Sequence, residues 1–346
     1  MTTRKKPAFI RSVLVLSLAV GALALVARPP VLEAQGRSDL EARHQRLLPL
    51  FELSDVVYTD ADETRGRLVV GVLNRRGGEG QVRGRLRALG IDSQSVDVVE
   101  TEPIFALATL RDKASPLVGG VQIRFSQYLC SLGFIAVNAK HEPGFVTASH
   151  CSDRQGAADG TTYYQPLAQD QNDWIGNETL DPAYLRGGSC PKGKKCRRSD
   201  ANFSLSSGTR LLNLGVIAQT TGGPGSLEIS TTSPTFNITG EVEEPVAVGT
   251  AVDKVGRTTG WTRGNVTSTC VNTGVQGSTI VLLCQTFVTG SGVIVGGGDS
   301  GSPAFISSGN NATLAGVLWG GNQSGTQFVY SPMANIEAEL GNLTTH

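Results

Sequence analysis

The sequence predicts a mainly β protein behind a short α/β segment, on three observations. Of 346 residues, 43 are glycine and only 6% aromatic, which suits a turn-rich β fold better than a helical bundle. After Pro116 short runs rich in Val, Ile, Thr and Phe alternate with Gly, Asn and Ser clusters, the pattern of an antiparallel barrel or sandwich. All six cysteines follow the first third of the chain. The 39% of hydrophobic residues can fill a large core and more than one domain. Lys plus Arg equals Asp plus Glu at 30 each, so charge gives no support for a nucleic-acid partner.

Taken in order, residues 1–34 are predicted to be a signal peptide. Arg4, Lys5, Lys6 and Arg11 form a basic start and Ser12 to Ala27 an apolar run, with cleavage after Ala27 or Ala34. That run is shorter than the roughly 20 residues a membrane span needs, and no later stretch is long and apolar enough, so no stable membrane association is expected once the signal is gone. Residues 35–116 form a small cysteine-free α/β unit. Arg67–Leu73 and Ser95–Glu100 are strand candidates, Phe105–Leu110 a third, and Glu79–Leu89 has helical spacing ended by Gly90. This unit is either an ordinary attached domain or a propeptide.

Beyond it, strands are predicted at Gly133–Val137, Gly144–Thr147, Ala201–Leu205, Val246–Val252, Thr279–Thr286 and Gly316–Trp319. Ser152–Arg198 is predicted to be a long surface loop, and Met333–Leu340 a helix stopped by Gly341. An even number of cysteines in an exported chain implies disulfides, and sequence proximity favours Cys130–Cys151, Cys190–Cys196 and Cys270–Cys284. A zinc site is disfavoured, with no Cys-x-x-Cys and four histidines in all.

Two segments carry chemistry. Gly296-Gly297-Gly298-Asp299-Ser300-Gly301-Ser302-Pro303 offers a serine among glycines, and Thr147-Ala148-Ser149-His150-Cys151 offers a base on a stapled loop. A serine hydroxyl is a poor nucleophile at neutral pH and needs a base held against it. Of the other histidines, His44 lies in the leading segments, His141 in an exposed turn and His346 at the terminus, which leaves His150. Gly296, Gly298 and Gly301 formally match a dinucleotide-binding fingerprint. That motif must open a helix, whereas Pro303 and the apolar residues after it continue as strand. An acid should orient the imidazole. Asp153, Asp159, Asp170, Asp173 and Asp181 lie in polar loop sequence, while Asp200 sits at the mouth of an apolar strand.

These motifs, in this order, resemble the chymotrypsin-like serine protease superfamily and most closely its bacterial secreted, streptogrisin and α-lytic type branch. Leu117-Val118-Gly119-Gly120 followed by Cys130-Ser131-Leu132-Gly133-Phe134 is similar to the mature start of streptogrisins, and Lys254–Val266 to their second-barrel signature. The resemblance implies an all-β fold of two six-stranded antiparallel barrels with a C-terminal helix and the site between them. A first barrel over 117–210 would carry His150 and Asp200, and a second over 211–346 would carry Ser300. It also implies a propeptide over 35–116. The N–H groups of Gly298 and Ser300 would form an oxyanion hole, and Asp299 would hold that hole through a buried cation the sequence does not identify. Leu318, Trp319 and Gly320 would line the substrate strand, with Ile294 and Phe328 at the specificity pocket. An uncharged residue at Ile294 argues against a Lys or Arg preference and for apolar or small side chains. The chain departs from the family in Ser302, in the missing cysteine near Gly296 and in the long loop before Asp200.

The expectation is thus a secreted, monomeric serine endopeptidase acting on proteins or peptides, with its own propeptide as partner and no metal or other cofactor. The alternative is a catalytically silent binding module of the same fold.

Overall fold

The computed structural model describes residues 30–104, 106–223 and 225–346. The basic, apolar leader and the point after Ala27 lie outside the described residues, and Ala34 falls in helix Pro30–Gln45. Among the described residues no helix is long and apolar enough to cross a membrane. The chain divides into two compact units, Met1–Ile104 and Phe105–His346.

In the first unit, strand Arg67–Val72 pairs antiparallel with Val56–Asp62 and parallel with Val96–Glu100. A parallel pair needs a crossover, supplied here by helix Arg75–Ala88. Asn74 caps that helix by accepting from Arg76 N and Gly77 N, and Val82 and Leu86 bury its apolar face. The strand Val56–Asp62 and the helix Pro30–Gln45 were not expected. The strand expected over 105–110 is a correction: Phe105 lies outside the described residues, 106–108 carry no strand, and Thr109 makes only an isolated bridge to Glu228.

The second unit holds two closed barrels. In the first, Gln122–Phe125 pairs with Tyr128–Ser131. That strand bends at Gly133, whose N–H reaches Val146 O, and continues as Phe134–Asn138 against Pro143–Thr147. The ladder proceeds through Asn202–Ser206, Trp174–Leu180 and Thr162–Tyr164 and returns to Gln122–Phe125. Counting the bent strand once, six strands close the ring. In the second barrel Ala251–Gly256, Gly260–Gly274, Ile280–Thr289, Gln327–Pro332, Asn311–Gly321 and Pro303–Ser308 pair in that order and close on themselves. Closure leaves no sheet edge around either ring. The architecture is the chymotrypsin-like double β-barrel, with its C-terminal helix at Met333–Leu340. Strands Leu212–Ala218 and Thr235–Glu241 extend the second sheet.

The cores follow the strand alternation. Phe134, Phe145, Phe203 and Tyr163 fill the first barrel, and Val252, Val288, Phe328 and Tyr330 part of the second. All three cysteine pairs join as proximity suggested. Two expectations fail. Ser152–Arg198 is not all loop, because it contributes two barrel strands and Lys195–Arg197, which pairs in parallel with Ile280–Leu282 of the second barrel. The strand expected from Val246 begins only at Ala251.

Candidate active site

His150 sits on a short 3₁₀ turn, Ser149–Cys151, directly after strand Pro143–Thr147. Cys151 is fully buried and bonded to Cys130, which anchors the turn to the bent strand. Asp200 precedes Asn202–Ser206, the strand paired with Pro143–Thr147, and Asn202 lies opposite Thr147. Adjacent strands therefore bring acid and base together. Asp200 Oδ1 accepts from His150 N at 2.9 Å and Oδ2 contacts His150 Nδ1 at 3.0 Å. Gln155 Nε2 reaches Oδ2 at 3.2 Å, and Asp200 N donates to Ser331 Oγ of the second barrel at 2.9 Å. Burial disfavours the imidazolium, but the charge and hydrogen bond of Asp200 outweigh it and hold the His150 pKa above the ordinary histidine value. Burial likewise opposes the charged form of Asp200, yet His150 and the donated hydrogen bonds hold its pKa below the usual carboxylate value.

Ser300 lies on the turn before strand Pro303–Ser308. Ser300 O accepts from Ser131 N at 2.8 Å, and Ser131 follows Cys130, the disulfide partner of the residue next to His150. A Cβ at Gly301 would stand 2.2 Å from Ser131 O and 2.3 Å from Thr147 Oγ1, so only glycine permits this approach of the two barrels. Gly298 has φ +96, and a Cβ there would meet Arg257 Nη1 at 2.7 Å. Among the described residues the N–H groups of Gly298 and Ser300 find no acceptor within the protein. Two donors left unpartnered on either side of Asp299 are free to take an acceptor from outside the chain.

Asp299 shapes that turn from behind. Fully buried, it accepts from Thr258 N at 2.9 Å, Thr259 N at 3.2 Å, Gly296 N at 2.9 Å and Thr259 Oγ1 at 2.7 Å. Lys254 Nζ, also fully buried, stands 3.2 Å from Asp299 Oδ2 and donates to Thr259 Oγ1 and Gly260 O. Lys254 is the cation the sequence reading could not identify. Its signal was a lysine set between the valines of the strand segment Val252-Asp253-Lys254-Val255. Burial pushes the Lys254 pKa below the ordinary lysine value, against the pull of Asp299.

Ser300 opens on a cavity of about 260 Å³ walled by Val295, Gly296, Leu318, Gly320, Gly321 and Asn322. His150 and Asp200 line a neighbouring cavity of about 500 Å³ with Trp319, and Gly320, Gly321 and Asn322 border both. Among the described residues no hydrogen bond joins the Ser300 hydroxyl to the imidazole; the two share cavity walls. Of the three residues expected along the substrate strand, Leu318 and Gly320 wall the Ser300 cavity and Trp319 lines the one that holds His150. Ile294 and Phe328 do not line the Ser300 cavity. Both are packed in the second-barrel core, at 3% and 0% exposure. Ile294 lies in the irregular segment that leads into the glycine turn, where its neighbour Val295 takes the cavity side instead.

A further buried group braces the pair. Arg197, 1% exposed, binds Asp181 Oδ1 at 2.5 Å and Glu339 Oε2 at 2.9 Å. It also donates to Ser149 Oγ at 3.1 Å and to Ala201 O, the immediate neighbours of His150 and Asp200. Among the described residues no group of three or more His, Cys, Asp or Glu is placed to hold a metal ion.

No protein-family model and no curated protein matches this chain. Solved structures do. Thermobifida fusca Protease A is similar at 24% identity over 67% of this chain and 100% of its own, with a TM-score of 0.46. Nocardiopsis protease is similar at 22% identity over the same shares, with a TM-score of 0.47. Cellulomonas bogoriensis chymotrypsin is similar at 24% identity over 67% of this chain and 98% of its own, with a TM-score of 0.43.

Proposed function

We propose that this chain is the precursor of a secreted serine endopeptidase with Ser300 as nucleophile, His150 as base and Asp200 as the acid that orients the base. With Nδ1–H donated to Asp200, the ring leaves Nε2 free to take the Ser300 proton. The hydroxyl oxygen then attacks the peptide carbonyl, and the developing oxyanion is received by the N–H groups of Gly298 and Ser300. His150 returns the proton to the leaving amine, and water hydrolyses the acyl-enzyme by the same route in reverse. No cofactor enters this cycle. The observation that carries the reading is the set of groups around two adjoining cavities: the two hydrogen bonds from His150 to Asp200, and two unpartnered N–H groups flanking a buried, fully bonded Asp299.

The cavity beside Ser300 is lined by glycines, Val295, Leu318, Asn322 and Gln323 with no charged side chain, which supports cleavage after uncharged, apolar or small residues. The leading α/β unit acts as a propeptide and the basic, apolar start as an export signal. Three disulfides suit an oxidising compartment. The mature protease works as a monomer.

The test is fluorophosphonate labelling of the purified chain beside Ser300→Ala. Stoichiometric labelling of the former alone supports the reading. A folded, processed protein that takes no label is instead a silent binding module.

A further inference from the structure

The likeness to streptogrisins puts the start of the mature chain at Leu117, but the bonds within the second unit place it earlier. Leu117 is fully buried and donates its N–H to Leu211 O at 2.8 Å. A cut before it would leave a charged ammonium in the apolar core, which costs several kcal/mol unless the strand pulls out. The eight residues ahead of it are built into the same unit. Leu110 is fully buried, donates to Leu227 O at 2.9 Å and accepts from Gln122 N at 2.7 Å. Lys113 Nζ binds Asp173, itself 3% exposed, at 2.8 Å. Ala114 N donates to Gln165 Oε1 at 3.0 Å. Arg111 Nε donates at 3.0 Å to Arg257 O, one residue from the backbone N–H of Thr258 that holds Asp299. Arg257 N in turn donates to Ser131 Oγ, which donates to Gly298 O.

We propose, resting on the protease reading above, that processing cuts between Ile104 and Thr109 and that Thr109–Pro116 stays on the mature enzyme as a strap bracing the Gly298–Ser300 turn. Ala106 and Leu107 carry no strand or helix and are exposed, Leu107 at 68%, while Ala108, also exposed, is tied only through its carbonyl, which accepts from Ile229 N at 2.7 Å. A protease must draw several residues into extended form, so this stretch can be bound where 110–117 cannot. Its apolar residues Ile104 and Leu107 also suit the uncharged cavity beside Ser300. The step is simple hydrolysis: the amide C–N bond breaks, and water supplies the hydroxyl of the new carboxyl and a proton of the new amine. Asp299 already has five donors within its own unit, so the turn does not depend on the new terminus.

Two measurements on the full chain test this. N-terminal sequencing and intact mass of the secreted wild-type protein should give a start between Phe105 and Thr109. A start from Leu110 to Leu117, or a chain left whole, overturns the proposal. The full-length Ser300→Ala chain is digested in parallel with added thermolysin, which makes the result independent of its own activity. A resistant core beginning between Phe105 and Thr109 is expected. A core trimmed to Leu117, or no core, overturns the strap. A correct terminus on a protein that takes no fluorophosphonate label would instead count against the protease reading alone.

Discussion

At the scale of single residues, the acid–base pair fixes how the proposed reaction should respond to pH. The reaction needs neutral His150, whose pKa lies above the ordinary histidine value because Asp200 overcomes the effect of burial. The acid limb of kcat/KM should therefore have its midpoint above about 6.5. In Asp200→Asn burial acts alone, so the midpoint should fall below that value while kcat drops by about 10⁴-fold. A pH–rate profile of both proteins checks this, and coincident acid limbs would contradict the assignment of the pair. Lys254 governs the other limb. Its pKa is lowered by burial, so the ammonium that holds Asp299 is lost at less alkaline pH than an ordinary lysine would be. Lys254→Arg keeps the cation at any accessible pH, because arginine does not titrate there. The alkaline limb of kcat should move upward in that variant, with the acid limb unchanged. The pairing of His150 with Asp200 and the glycine turn under Ser300 were legible because each residue adjoins a strand or a glycine run that the sequence marks clearly. Lys254 was not assigned, since one residue in an apolar strand does not say which carboxylate it meets across the barrel.

At the scale of elements, the segment from Ser152 to Arg198 is the part sequence reasoning described least well. Its strands are short and polar, so the period-two signal is weak, and Trp174–Leu180 even buries a carboxylate. That carboxylate is Glu178, 2% exposed, with Oε1 lacking any partner. Burial, reinforced by the charges of Asp181 and Asp159, pushes its pKa up to about 8 from an ordinary 4.5. The unfolded chain releases this proton from about pH 4.5 upward and the native chain only near 8, so the native state loses stability as pH rises between those values. Glu178→Gln should flatten that slope: Tm measured at pH 8 should rise above wild type, and Tm at pH 4 should not. Arg197 makes the second argument. Removing it in Arg197→Met leaves buried Asp181 without a cation, at a cost of about 3–5 kcal/mol in denaturant unfolding. Adding Asp181→Asn should recover part of that loss, a coupling the double-mutant cycle reads directly. Additive losses would mean that the two side chains do not act on each other. The misplaced specificity residues have a similar cause. Counting back from Ser300 reaches Ile294, but the glycine turn shifts which side chains face the cavity, and Val295 takes that place.

At the scale of the whole molecule, base and nucleophile belong to different barrels, so the proposed chemistry requires the barrels to hold a fixed relation. The parallel pairing of Lys195–Arg197 with Ile280–Leu282 is one tie, and Asp200 N on Ser331 Oγ is another. The C-terminal tail makes a third. After helix Met333–Leu340, whose Glu339 binds Arg197, Leu343–Thr344 returns to pair with Phe134–Asn138 of the first barrel. Leu343 is 7% exposed and Thr345 1%, and Thr345 Oγ1 donates to Glu241. Burying one leucine side chain stabilises by about 1.5–3 kcal/mol, and the lost ladder adds to that. Truncation after Gly341 should therefore lower Tm by several degrees for a unit of this size. It should also slow fluorophosphonate labelling of Ser300 at temperatures where the protein is still folded, because the tail removes freedom between the barrels as well as adding stability. A conservative control, Leu343→Ala, keeps the backbone pairing and should lower Tm while leaving the labelling rate nearly intact. If both variants label at the wild-type rate, the tail serves only stability, and the relation between His150 and Ser300 is held by the remaining ties: Lys195–Arg197 on Ile280–Leu282, Asp200 N on Ser331 Oγ, and the contacts around Ser131 and Gly301.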